Sequence, residues 1–146
     1  MEIICRAMQE KNFSDYVSVL REEFEIVDSP NWNLLAENKN YIPIAAFNGD
    51  ELVGGLVVER KFDLFRKPSK FYFLRYFAVK KTFRQKGVGR KLFQYVESLA
   101  EKENVTKIEL TCANFRTGSH KFYEAMGLTV KKTKVFIKES NYERSV

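Results

Sequence analysis

The sequence predicts an α+β chain built around a mixed β-sheet, and three features predict it. Two runs rich in β-branched and aromatic residues, 41–47 and 52–62, are separated by Asn48, Gly49, Asp50 and Glu51. A nearly unbroken apolar run covers 71–79, and beyond it strand-like and helix-like segments alternate. Asn and Gly tolerate the positive φ of a tight turn, so the first pair reads as an antiparallel hairpin. Strands that alternate with helices make the sheet mixed and the class α+β or α/β.

The elements follow in chain order. Ile3, Ile4 and Cys5 open a short strand. From 12 to 24 the apolar Phe13, Tyr16, Val17, Val19, Leu20 and Phe24 recur at helical spacing, giving an amphipathic helix that Asn12 or Ser14 can cap. Asp28, Ser29, Pro30 and Asn31 form a loop, and Trp32, Leu34 and Leu35 suggest a second short helical turn. After the hairpin, Arg66, Lys67, Pro68, Ser69 and Lys70 break the pattern. The run at 71–79 then reads as a central strand covered on both faces. Val88, Leu92, Phe93, Val96, Leu99 and Ala100 repeat at three- and four-residue steps, a helix of roughly four turns. Segments 105–113 and 128–137 read as strands, with a short helix at 118–126 between them that stops at Gly127.

A chain of 146 residues falls in the size range of one hydrophobic core, so a single domain, 1–146, is expected. With 45% hydrophobic residues, 13 Phe and 7 Tyr, it has the material for an aromatic-rich core, which argues against disorder. The net charge of +6 favours anionic partners: nucleic acid, an anionic membrane surface or a phosphate-bearing cofactor. Cys5 and Cys112 form no C-x-x-C motif and His120 is the sole histidine, so neither a disulfide framework nor a metal is expected. Residues 1–9 lack the pattern of a signal peptide, and no apolar run approaches the ~20 residues of a membrane span. The expectation is a soluble, cytoplasmic protein without a membrane partner.

Arg84, Gln85, Lys86, Gly87, Val88 and Gly89 lie between an apolar strand and an amphipathic helix. Glycines there remove the side chains that would keep a ligand from the backbone. The first amides of a helix lack internal partners, and with the helix dipole they form an anion site, to which Arg84, Lys86, Arg90 and Lys91 add charge. A P-loop is excluded because G-x-x-x-x-G-K-[ST] is absent, and a dinucleotide fingerprint because Leu92 stands where a third small residue is needed. The plainer alternative is a helix entered through a tight turn with a solvated basic face.

A second cluster contains Arg116, Ser119, His120, Phe122, Tyr123, Gly127 and Leu128. Together the two resemble the GNAT superfamily of N-acetyltransferases, in which R/Q-x-x-G-x-G/A follows a strand and a pattern like R-x-x-A-H-x-F-Y-x-x-x-G-F comes later. Ser119 replaces the usual Ala, Leu128 the usual Phe, and Asn114 lies two residues before the asparagine of many members. The resemblance covers 71–137 well and the first seventy residues only through the order of elements. It implies a three-layer fold with a mostly antiparallel central sheet flanked by helices.

The resemblance further implies that acetyl coenzyme A lies where two strands splay, its pantetheine along Phe77, Ala78 and Val79 and its pyrophosphate on the backbone of Arg84, Gln85, Lys86, Gly87, Val88, Gly89 and Arg90. Asn114, Arg116 and Tyr123 are counted as further cofactor contacts, Arg116 at the adenosine phosphate edge or as a helix cap. The product is an N-acetylated primary amine, with Tyr123 the acid that protonates the leaving thiolate; the alternative for Tyr123 is a ring packed on the sheet. An amine with a pKa of about 10.4 must also lose a proton before it attacks. Glu59 and Glu109 are the carboxylates placed on strands, although each reads more simply as a solvated strand residue, and water is the other base. Phe73 stands where some relatives carry a glutamate.

Other residues have plainer roles. His120 suits packing or hydrogen bonding better than catalysis. Trp32 and Phe24 either wall the acceptor pocket or belong to the core, and Glu22, Glu23, Glu25 and Asp28 either attract a cationic acceptor or form a solvated face. A CoA-binding sensor without catalysis is the second reading of the whole chain. Lys80, Lys81, Lys131, Lys132 and Lys134 extend the basic clusters, yet no base-reading motif accompanies them, so nucleic acid is not the expected partner. The sequence leaves the acceptor and the oligomeric state open, pairing of two copies through the last strands being compatible with it.

Overall fold

A computed structural model describes residues 1–65 and 69–140, so Arg66, Lys67 and Pro68 of the expected break lie outside the described residues. The chain divides into two compact units, Met1–Ala113 and Asn114–Val146. The first contains β1 (Ile3–Ala7), a 3₁₀ turn (Glu10–Asn12), α1 (Phe13–Arg21), α2 (Trp32–Ala36), β2 (Tyr41–Asn48), β3 (Glu51–Asp63), β4 (Ser69–Val79), a second 3₁₀ turn (Lys81–Phe83), α3 (Val88–Lys102) and β5 (Ile108–Leu110). Its five strands run in the order β1-β2-β3-β4-β5. All neighbours are antiparallel except β4 and β5, so the sheet is mixed and mostly antiparallel, as expected.

Two adjacent glycines in β3 show how the layers stack, because successive strand residues face opposite sides of a sheet. A Cβ on Gly54 would lie 3.1 Å from Val88 and 3.3 Å from Leu92 of α3. One on Gly55 would lie 2.9 Å from the ring of Tyr16 in α1. The two helices therefore cover opposite faces, giving helix, sheet and helix in three layers. Tyr16, Val19 and Leu20 pack with Ala45, Phe47, Leu52, Val57 and Ala78 on one side, while buried Val88, Leu92, Phe93 and Val96 cover the other.

The local expectations hold with shifted boundaries. Gly49 takes φ 60° in the hairpin turn between β2 and β3. The helix expected at 12–24 begins at Phe13, because Asn12 belongs to the preceding 3₁₀ turn, where its side chain accepts from the Gln9 N–H at 3.0 Å, and it stops at Arg21.

Three expectations are corrected. β3 lies in the middle of the sheet and is buried on both faces from Leu52 to Val58, whereas β4 is only part-covered. Beyond the reach of α1, its Phe73 carries Lys61 and Arg75 over its ring in place of an apolar layer. The strand expected at 105–113 shrinks to the three residues of β5, which match the short ladder β4 offers. No strand forms at 128–137: propensity needs a ladder partner to become a strand, and residues 128–140 hold no regular element, with Val130, Val135, Phe136 and Ile137 exposed.

Among its described residues the second unit has one helix, α4 (Thr117–Ala125). It ends as expected at Gly127, whose φ of 94° lets its N–H bond the Glu124 carbonyl at 3.0 Å and the Leu128 N–H bond that of Tyr123 at 3.1 Å. That pair of bonds satisfies carbonyls the last turn would otherwise leave open.

Candidate functional site

The end of β4 is shaped by a bulge. Gly55 is opposite Ala78 but Val57 is opposite Arg75, so β4 carries one extra residue there, and Tyr76 takes φ 52°. Tyr16, buried against Gly55, donates its hydroxyl to the Tyr76 carbonyl at 2.6 Å and so ties α1 to the bulge. Burial pushes the Tyr16 phenol well above its usual pKa, which keeps it a donor. The ladder between β4 and β5 covers only Tyr72, Phe73 and Leu74 opposite Ile108, Glu109 and Leu110. Beyond that short ladder, β4 runs on through Phe77 and Ala78 to Val79.

The Lys80 N–H then bonds the Val53 carbonyl at 2.8 Å, and the 3₁₀ turn leads into the glycine segment. Gln85 at φ 59° and Gly87 at φ 85° are both left-handed. The first bond inside α3 is from the Lys91 N–H to the Gly87 carbonyl at 3.0 Å, so the amides of Val88, Gly89 and Arg90 precede the helical ladder. Buried Val88 anchors this turn against Gly54. Gln85, Lys86, Gly87 and Arg90 are exposed, and no atom lies within 4 Å of where a Gly87 Cβ would stand. Open space in front of a run of amides, with Lys86 and Arg90 on it, fits a pyrophosphate. Arg84 is engaged otherwise: it donates to the Val79 carbonyl at 3.3 Å and pairs with Glu23.

A cleft of about 410 Å³ opens on the α1 side of the sheet. Phe13, Tyr16 and Leu20 of α1, Leu34 and Leu35 of α2, Tyr41, Val57, Arg75 and Tyr76 line it, with Glu25 and Ile26 from the loop between the helices. Its wall thus ends at Tyr76, the residue before Phe77.

The two strand carboxylates come together in one cross-strand row, Tyr41, Glu59, Phe73 and Glu109, on this same face. Each carries a basic partner: Arg75 Nε reaches Glu59 at 2.7 Å, and Lys107 Nζ reaches Glu109 at 3.4 Å. Phe24 and Trp32 are part-buried against the core, and the Trp32 ring lies 5.2 Å from that of Phe13. Asn114, Arg116, His120 and Tyr123 belong to the second unit, where Tyr123 meets Phe122 edge-on at 5.3 Å and Arg116 lies 5.2 Å over the Phe115 ring. Among the described residues no group of three His, Cys, Asp or Glu side chains is placed to hold a metal, and no helix is long and apolar enough to cross a membrane.

The profile of the Acetyltransferase (GNAT) family matches residues 5–128. This chain belongs to the GNAT family. The GNAT fold recurs in solved structures. A transcriptional regulator from Bacillus halodurans C-125 superposes with a TM-score of 0.83 at 21% identity, over 94% of this chain and 100% of that one. A putative acetyltransferase from Agrobacterium tumefaciens str. C58 gives 0.81 at 17%, over 93% and 99%. Glucosamine-6-phosphate N-acetyltransferase from Arabidopsis thaliana gives 0.76 at 15%, over 97% and 99%. At such identities the likeness speaks for the GNAT fold alone. No curated protein matches the sequence.

The sequence alone did not point to Tyr16, Arg75 and Tyr76 as residues that shape this cleft and the bulge beside it. Tyr16 read as one more apolar helix position. Gly54-Gly55 inside a strand was the available signal, since paired glycines there mark a close approach.

Proposed function

We propose that the chain is an acetyl-CoA-dependent N-acetyltransferase that acts on a primary amine, with both units forming one catalytic domain, as a family match running across their boundary suggests. The observation that carries the donor is the left-handed turn at Gln85 and Gly87 ahead of the open amides of α3. Acetyl-CoA supplies the activated acyl group. Backbone at Phe77, Ala78 and Val79 takes the pantetheine, Arg84 through Arg90 take the pyrophosphate, and Asn114 and Arg116 contact the adenosine end. The amine loses a proton to water, or to Glu59 or Glu109, as its nitrogen bonds the acyl carbon. The carbon–sulfur bond breaks, and Tyr123 gives its phenol proton to the sulfur. Cys5 and Cys112 form no disulfide among the described residues, which accords with a reducing cytoplasm, and a homodimer is compatible with the reading.

Two measurements test this. Acetyl-CoA at 100 times its Kd should stabilise the protein by about 2.7 kcal/mol, read as a rise in melting temperature. Tyr123→Phe should lower thiol release about a hundredfold while leaving that shift unchanged; equal turnover removes Tyr123 as the acid. A shift without turnover on any amine favours the sensor reading instead.

A further inference from the structure

We infer that the acceptor is a small primary amine with a single ammonium group on an aromatic or branched aliphatic body. This rests on the amine-acetylation reading and narrows its acceptor. The cleft beside the β4 bulge, about 410 Å³, has the size of a small-molecule pocket, and Phe13, Tyr16, Leu20, Ile26, Leu35 and Val57 give it apolar walls. The residues that line it include two charged side chains, Glu25 and Arg75, and Arg75 is already paired with Glu59 at 2.7 Å.

Charge decides between acceptor classes. Each ammonium that leaves water needs a counter-charge, because a buried unpaired ion is costly. A polycationic sugar brings several ammonium groups and many hydroxyls to a cleft whose described lining residues offer one carboxylate, Glu25. A monoamine brings one ammonium, which Glu25 matches on entry, and its apolar body displaces water from the aromatic and aliphatic walls. The position of Arg75 and Tyr76 on the wall fixes the reactive end, since Phe77 of the donor-binding segment follows directly.

The test is thiol release at saturating acetyl-CoA with 2-phenylethylamine and isoamylamine, against sisomicin, ethanolamine and a tripeptide with an N-terminal phenylalanine. The two apolar monoamines should exceed the others in kcat/KM by about tenfold or more. Glu25 is exposed in the loop between α1 and α2, so its carboxylate can be removed without the loss of a buried contact. Glu25→Gln should therefore fold, raise KM for 2-phenylethylamine about two- to fivefold, the worth of a surface ion pair, and leave the melting-temperature shift with acetyl-CoA unchanged. Preference for sisomicin, ethanolamine or the peptide overturns the acceptor class, as does an unchanged KM in Glu25→Gln. Loss of the acetyl-CoA shift in the native chain overturns the donor reading instead.

Discussion

At the scale of single residues, three glycines show that the same amino acid meets different demands. Gly55 is needed for space: a Cβ there would lie 2.9 Å from the Ile44 carbonyl oxygen and 2.9 Å from the Tyr16 ring. Backbone cannot yield as a flexible side chain can, so Gly55→Ala should destabilise the protein by about 1–3 kcal/mol in denaturant unfolding. Gly87 has open space around it but a φ of 85°. Gly87→Ala should cost about 1–2 kcal/mol through backbone strain and weaken acetyl-CoA binding in titration calorimetry. Gly118 in α4 has neither constraint, with nothing within 4 Å and no positive φ. Gly118→Ala should be neutral or stabilise by about 0.5–1 kcal/mol, because alanine loses less entropy in a helix.

At the scale of elements, the two residues that follow α1 hold the approach to the glycine segment in place. The Lys81 N–H bonds Glu22 at 3.2 Å, and Arg84 pairs with Glu23. The acidic run that reads from sequence as a solvated face or an acceptor lure thus bonds in part to the segment proposed to hold the donor. On the proposed reading, this pairing competes with the donor's pyrophosphate for Arg84 and adds negative charge beside the proposed anion site. Glu23→Gln should remove both effects and tighten acetyl-CoA binding about two- to fivefold, on the order of 0.5–1 kcal/mol for a part-exposed pair. Weaker binding in the variant would mean instead that Glu23 positions Arg84 productively.

At the scale of the whole first unit, Glu103 at the end of α3 ties the helix layer to the sheet. Arg60 of β3 grips its two carboxylate oxygens at 2.8 Å each, and Lys70 of β4 reaches it at 3.0 Å. The Arg60 bond, against the cost of burial and with help from Lys70 and Tyr72, holds the Glu103 carboxyl at about 2, below its usual 4.5. Burial, and then the nearby Glu103 carboxylate, pushes the Tyr72 phenol above its usual range. A carboxyl whose folded pKa is depressed contributes stability that is full above the unfolded pKa and disappears as pH falls through the folded one. The Glu103 contribution is therefore present above pH 4.5 and fades between 4.5 and about 2. Glu103→Gln should be less stable at neutral pH and show a flatter loss across that acid window in denaturant unfolding.

The sequence alone determined what is local. Asn48-Gly49 specifies the hairpin turn, the apolar spacing specifies α1 and α3, and the left-handed turn at Gly87 and the helix stop at Gly127 follow from backbone freedom at single residues. Tertiary structure decided what depends on register and on partners. The bulge at Tyr76 is held by a hydroxyl sixty residues away in sequence, Glu59 and Glu109 meet around Phe73 only once three strands align, and the cleft exists only when α1 and α2 cover one face. Residues 128–137 show the same divide from the other side. Their composition favours a strand, but propensity acts within a residue whereas a strand needs a partner, and the chain has to fold before it has one.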